Sequence, residues 1–220
     1  MKIVSTNISE IKTVEYQGEL ITTGIFKKPT TETVYIDSEN IHGDAQADLV
    51  NHGGIDKAVY AFCDSYYEYW KTQLKNPDLT FGDFGENFTV THLHEDQIYI
   101  GEHYQLGSAI LEVSQPRVPC FKLGMALNNK KLPKLFIQNF ATGVYFRVVE
   151  RGNVTTGDEI KLVKPVDHKV SVRTLFKAFF DKHFENREAI YQQAVDVPEL
   201  ANEWREKLVK RLAGIDAQFG

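Results

Sequence analysis

The pattern of apolar residues changes once along this 220-residue chain, near Pro165, and that change limits the folds open to it more than any other feature. Before it, short apolar runs are separated by turn residues, which is the pattern of many short strands. Strands are expected at residues 2–6, 33–36, 58–62, 97–100, 109–114, 143–149 and 159–163, with turns at Gly101, Gly107, Gly152 and Gly157. No strand–helix–strand rhythm accompanies them. The expected architecture is therefore mainly β and barrel-like rather than a doubly wound parallel sheet. One helix is expected to interrupt it. Ser65 and Glu68 have capping-box spacing, and Tyr66, Tyr69, Trp70 and Leu74 then share a helical face, which reads as core.

After Pro165 the spacing becomes helical. Leu175, Phe176, Phe179, Phe180 and Phe184 form one stripe, Ile190, Tyr191, Ala194 and Val195 a second, and Leu200, Trp204, Leu208 and Leu212 a third. The last helix is expected to start at an Asp196 N-cap, with Pro198 in its first turn and Glu199 at the capping-box position, and to end at Gly214. The expected division is a β domain over residues 1–165 and a three-helix domain over 166–220. The helical part suits a cap on the β domain, a dimer contact or a helix-turn-helix reader. Its basic and acidic residues are balanced and the chain carries a formal charge of −5, so no nucleic-acid partner is expected.

With 42% hydrophobic and 25% charged residues the chain has enough apolar side chains for a soluble core. No stretch is long and apolar enough to span a bilayer, and the opening residues turn polar too early for a signal peptide, so no membrane partner is expected. Only Cys63 and Cys120 are present. That excludes a disulfide framework and suits a reducing, cytoplasmic location.

Three stretches carry residues suited to chemistry. In Gln115-Pro116-Arg117-Val118-Pro119-Cys120-Phe121-Lys122, two prolines fix the backbone around a cysteine bracketed by two cations. Positive charge near a thiol favours the thiolate, so Cys120 suits a nucleophile or a soft-metal ligand, against the alternative of a structural cysteine with surface cations. Cys63 follows an apolar run with no cation before Asp64 and reads as a small packed residue. In His52-Gly53-Gly54-Ile55-Asp56-Lys57, paired glycines can expose backbone amides while His52 and Lys57 supply charge, which suits an anion such as phosphate, or else a plain turn. Gly82-Asp83-Phe84-Gly85-Glu86-Asn87 can present Glu86 and Asn87 to a ligand, or be a polar loop. His92 and His94 lack the companions of a zinc site.

These segments, with Thr23-Gly24-Ile25-Phe26-Lys27-Lys28-Pro29, Gly43-Asp44-Ala45-Gln46-Ala47-Asp48-Leu49 and Gly143-Val144-Tyr145-Phe146-Arg147-Val148, resemble a MOSC-domain protein of the YiiM-like group. The resemblance runs from near the start to about Pro165, and the helical tail resembles the three-helix domain that follows MOSC in that group. It implies a MOSC β-barrel, binding of the molybdenum cofactor (molybdopterin) and reduction of N-hydroxylated compounds such as 6-hydroxylaminopurine. The family cysteine falls on Cys120, as molybdenum ligand or as carrier of sulfur or cofactor; a non-catalytic binding module is a further alternative. Gly53, Gly54, Lys57, Asn87, Arg117 and Lys122 are then candidates to hold the cofactor, and His52 and Glu86 to protonate the leaving oxygen. Pyridoxal phosphate is also associated with the family, through a separate desulfurase domain for which this chain has no room, so it is not expected here. No flavin or iron–sulfur cysteine pattern is present, so electrons are expected from a partner protein.

Overall fold

A computed structural model describes residues 1–47 and 53–219. Its strands are β1 (Lys2–Ile8), β2 (Lys12–Tyr16), β3 (Glu19–Thr23), β4 (Lys28–Thr30), β5 (Val34–Ile36), β6 (Val59–Cys63), β7 (Phe88–Thr91), β8 (His103–Leu106), β9 (Ala109–Pro116), β10 (Val144–Glu150), β11 (Gly152–Val154) and β12 (Ile160–Lys164). The helices are α1 (Tyr66–Leu74), α2 (Phe121–Ala126), α3 (Leu132–Asn139), α4 (Val172–Phe180), α5 (Arg187–Val195) and α6 (Asn202–Leu212), and a 3-10 turn occupies Ile55–Lys57. The protein is mainly β through its first three quarters and helical after that, as the change in spacing implied.

Eight strands form one sheet in the order β12-β8-β9-β10-β6-β7-β1-β4, with β11-β5 and β2-β3 as separate pairs. The sheet does not close into a barrel by a continuous ladder among the described residues. It curls until its ends meet: Ile3 donates its N–H to Asp158 O at 3.0 Å, and Ile160 to Met1 O at 2.9 Å. The cause of the opening lies in β1. Its outer edge is divided, with Thr6 to Ile8 paired to β4 and Lys2 bridging Glu159.

Alternation along β6 separates two cores. Val59, Ala61 and Cys63 enter the main core with Val144 and Phe146 of β10, whereas Tyr60 and Phe62 enter a second, aromatic cluster with Tyr67, Trp70, Phe84 and Phe136. Because both faces are covered, the strand is a continuous apolar run rather than an alternating one. It also runs parallel to β7, joined through α1, so one strand–helix–strand crossover exists where none was expected. Two further helices, α2 and α3, interrupt the β region as well, and α3 supplies Phe136, whose ring stacks on Trp70 at 4.2 Å.

The tail packs on the sheet without a break. Val172, Leu175, Phe176, Ala178 and Phe179 of α4 belong to the same apolar cluster as the strands, and Trp204 of α6 is buried among Phe176, Phe179, Phe180 and Phe219.

Several local expectations change. The strand expected over 97–100 is irregular, because its backbone serves the segment entering α4: Ile100 donates to Val170 O, and Val172 donates to Ile98 O. In α1, Tyr67 is buried instead of Tyr69, which is 45% exposed; the Tyr67 hydroxyl is drawn inward to Glu86. Ser65 is itself in helical conformation and makes no cap, while Glu68 pairs with Lys71. Asp196 caps the end of α5 rather than starting α6, whose N-cap is Ala201. The intervening turn is held by the Arg205 guanidinium, which donates to the carbonyls of Val195, Val197, Pro198 and Leu200. Gly214 ends α6 as expected, at φ +75, with Gly214 N–H on Arg211 O and Ile215 N–H on Lys210 O closing a Schellman turn.

Candidate functional site

The loops at one end of the curled sheet line an open pocket. Its lining comes from six separate parts of the chain: the segment between β3 and β4, the loop after β5, the 3-10 turn with β6, the approach to β7, the segment between β9 and α2, and β10. Two of these can approach only because of glycine. At Gly24 a Cβ would stand 1.9 Å from Ala45 O, and Gly85 sits at φ +83 with Ile25 packed 3.0 Å from where its Cβ would be.

Strand β9 delivers Arg117 and Cys120 to this pocket. Cys120 is half-buried, extended at φ −114, and precedes the first turn of α2; it lines the pocket with Arg117, Lys122, Lys57 and Asn87. Arg117 is only 5% exposed. Its guanidinium lies 5.3 Å from the Tyr60 ring and 5.7 Å from the Phe136 ring, so the aromatic cluster supplies the platform that holds it. One of its nitrogens, Nη1, is buried without a hydrogen-bond partner.

At the pocket floor sit Lys27, Asp44 and Asn87. The Lys27 ammonium lies 2.5 Å from both Asp44 oxygens. Asp44 also accepts from Ser9 N–H at 2.9 Å and from Asn87 Nδ2 at 2.9 Å, while Asn87 Oδ1 accepts from Tyr60 N–H. Burial pushes the Lys27 ammonium below its ordinary range, and the Asp44 carboxylate opposes that shift. Tyr60 and Tyr145 face each other across β6 and β10 at 5.3 Å. Burial raises both phenols, Tyr145 to about 12, with Arg117 pulling the other way. Both therefore stay protonated at neutral pH.

The structure brings together five of the expected site residues, Cys120, Arg117, Lys122, Lys57 and Asn87. Gly53 and Gly54 are not among the lining residues; Gly54 takes a positive φ of +85. His52 lies outside the described residues. Glu86 is 0% exposed and turned away: its Oε1 accepts from the Tyr67 hydroxyl, Gly82 N–H at 2.9 Å and Thr89 Oγ1 at 2.8 Å. Burial raises its carboxyl above the ordinary range, and these hydrogen bonds pull it back. It supports the loop from behind. Sequence reasoning gave no role to Lys27, Asp44, Tyr60 or Tyr145. Cys63 is buried in β6, and its thiol is raised by that burial.

Comparison with known proteins matches residues 48–161 to the family described as MOSC domain, and residues 170–214 to the family described as YiiM-like, 3-alpha helix domain. The protein YflK of Bacillus subtilis (strain 168) is 37% identical over 209 residues, covering 95% of this chain and 93% of that protein. A protein of Gibberella moniliformis named "Reductase" is 33% identical over 173 residues, 77% of this chain but 30% of that longer protein. Among solved structures, YiiM from Geobacillus stearothermophilus superimposes with a TM-score of 0.80 at 32% identity, covering 96% of this chain and 98% of that one. No helix among the described residues is long and apolar enough to cross a membrane.

Proposed function

The chain belongs to the MOSC domain family, in the branch that carries the YiiM-like three-helix domain, and from that premise we propose that it binds the molybdenum cofactor and reduces N-hydroxylated compounds. The observation that carries this reading is Arg117. A buried guanidinium with a buried, unpartnered donor at a pocket wall is costly unless an anionic ligand completes it. The neighbouring residues fit a phosphorylated, sulfur-rich metal cofactor. Arg117, Lys122 and Lys57 supply cations for its anionic groups, and Cys120 supplies a soft thiolate on the same wall. When bound, the metal would supply the electron pair that breaks the N–O bond.

The chain's own residues would do the rest. Two protons are needed to turn a hydroxylamino group into an amino group and water. Lys27 is the candidate donor in place of Glu86, since it lines the pocket and burial makes it more acidic than an ordinary lysine. Asp44 holds the ammonium in place, and Asn87 holds Asp44. Electrons would come from a partner protein. Two cysteines and no disulfide framework suit a reducing cytoplasm.

Cofactor-loaded protein given a chemical electron donor is expected to convert 6-hydroxylaminopurine to adenine and water. Because Lys27 must be protonated to donate, and its pKa lies below the usual 10.5, the rate should fall as pH rises through that lowered value. Loaded protein that leaves 6-hydroxylaminopurine and other N-hydroxylated compounds unchanged would overturn the reading.

A further inference from the structure

The three-helix domain reaches the pocket through residues 199–203. Lys57 Nζ, on the pocket wall, lies 2.7 Å from Glu203 Oε2 at the start of α6. The turn that carries Lys57 is fastened to the same part of the tail by a second route. Asp56 Oδ1 accepts from Arg147 Nε at 2.8 Å and Nη2 at 2.5 Å, and the same guanidinium donates to Glu112 and to Glu199 O. A third route runs through Ser114, whose hydroxyl donates to Asp56 O at 2.6 Å while its carbonyl accepts from Ala201 N–H at 3.1 Å. Lys57 O in turn accepts from Gln46 Nε2, another pocket residue. The 3-10 turn is thus fixed from the helical domain at both its backbone and its two charged side chains.

We propose that Glu203 is a positioning residue for this pocket: from the three-helix domain it holds the Lys57 ammonium at the wall, ready for an anionic group of the ligand. The proposal rests on the pocket being an anion site, but not on the identity of the anion. Two effects of Glu203 oppose each other. Its negative charge repels an incoming anion, and its hydrogen bond fixes a long, flexible side chain in advance. The Glu203 side chain is 41% exposed, so solvent screens the repulsion, whereas the Lys57 side chain is 12% exposed, so its bond to Glu203 competes less with water. Positioning should win.

The test uses inorganic phosphate, titrated into the full-length protein by calorimetry, and thermal melting as a folding control. Glu203→Ala is expected to weaken phosphate binding about tenfold, the cost of fixing a lysine side chain during binding rather than before it. Glu203→Gln keeps an acceptor for Lys57 without the charge and should bind phosphate at least as tightly as the parent. Lys57→Ala should weaken binding, and adding Glu203→Ala to it should change nothing further, since Glu203 acts through Lys57. A purely structural ion pair would give the opposite pattern: lower melting temperatures with unchanged phosphate affinity, or additive losses in the double variant, and either overturns the proposal. A parent that binds no phosphate also overturns it. The predicted pattern in a protein that takes up no molybdenum cofactor would sink the cofactor reading and leave the role of Glu203 standing.

Discussion

Cys120→Ser is expected to abolish reduction of 6-hydroxylaminopurine while the protein remains folded, and Cys63→Ser to leave turnover largely intact. The contrast follows from where each sulfur stands. Cys120 lines the pocket beside Arg117 and Lys122, whereas Cys63 lies on β6 inside the main core with its thiol 3.2 Å from Ser65 Oγ. A serine hydroxyl is harder and far more basic than a thiolate, so it replaces one poorly as a molybdenum ligand or a sulfur carrier. At Cys63 the substitution acts through packing, with a stability loss on the order of 1 kcal/mol. Activity, molybdenum content and melting temperature measured on both variants decide the matter. Parent-rate turnover by a folded Cys120→Ser protein would remove the cysteine from the mechanism. Transferable sulfur on the parent's Cys120, seen as a persulfide mass shift, would instead favour sulfur transfer.

The second large effect is on stability. Asp44→Ala should cost about 3–5 kcal/mol, because it leaves the Lys27 ammonium buried without its counter-charge. It also strands Ser9 N–H and Asn87 Nδ2, both of which donate to Asp44. Replacing both partners by apolar residues, as in Lys27→Met with Asp44→Leu, should recover much of that loss, since no unpaired charge then remains. Urea unfolding of the two single variants and the double variant gives the coupling directly. Strictly additive losses would mean that the pair does not act as a unit.

How much of this was legible in the sequence depended on the range of the interaction. The apolar run of β6 and the three helical stripes are local patterns, and one strand and three helices form over them, with α6 starting later than expected. Cys120 was legible for the same reason, because its cations and prolines lie within a few residues. Lys27 and Asp44 are 17 positions apart, and Asp44 and Asn87 are 43 apart, so no spacing rule joins them. The only signal was that Lys27 and Asp44 fall inside the runs resembling the MOSC family. Glu86 was misjudged by one position. At the bend entering β7, where Gly85 takes φ +83, Gly85 and Asn87 line the pocket whereas the Glu86 side chain is buried against Tyr67 and Thr89. The start of α6 was misplaced because Arg205, five or more residues downstream of the turn it holds, does the work assigned to a capping aspartate.

The central claim is that this pocket holds the molybdenum cofactor through Cys120 and Arg117. It is tested most directly by molybdenum and pterin analysis of protein purified from a host that makes the cofactor. The account predicts about one molybdenum and one pterin per chain in the parent and strong depletion of both in Arg117→Met, which removes the buried cation and its unpartnered donor. A parent that emerges free of both, or an Arg117→Met protein that retains them in full, would contradict it.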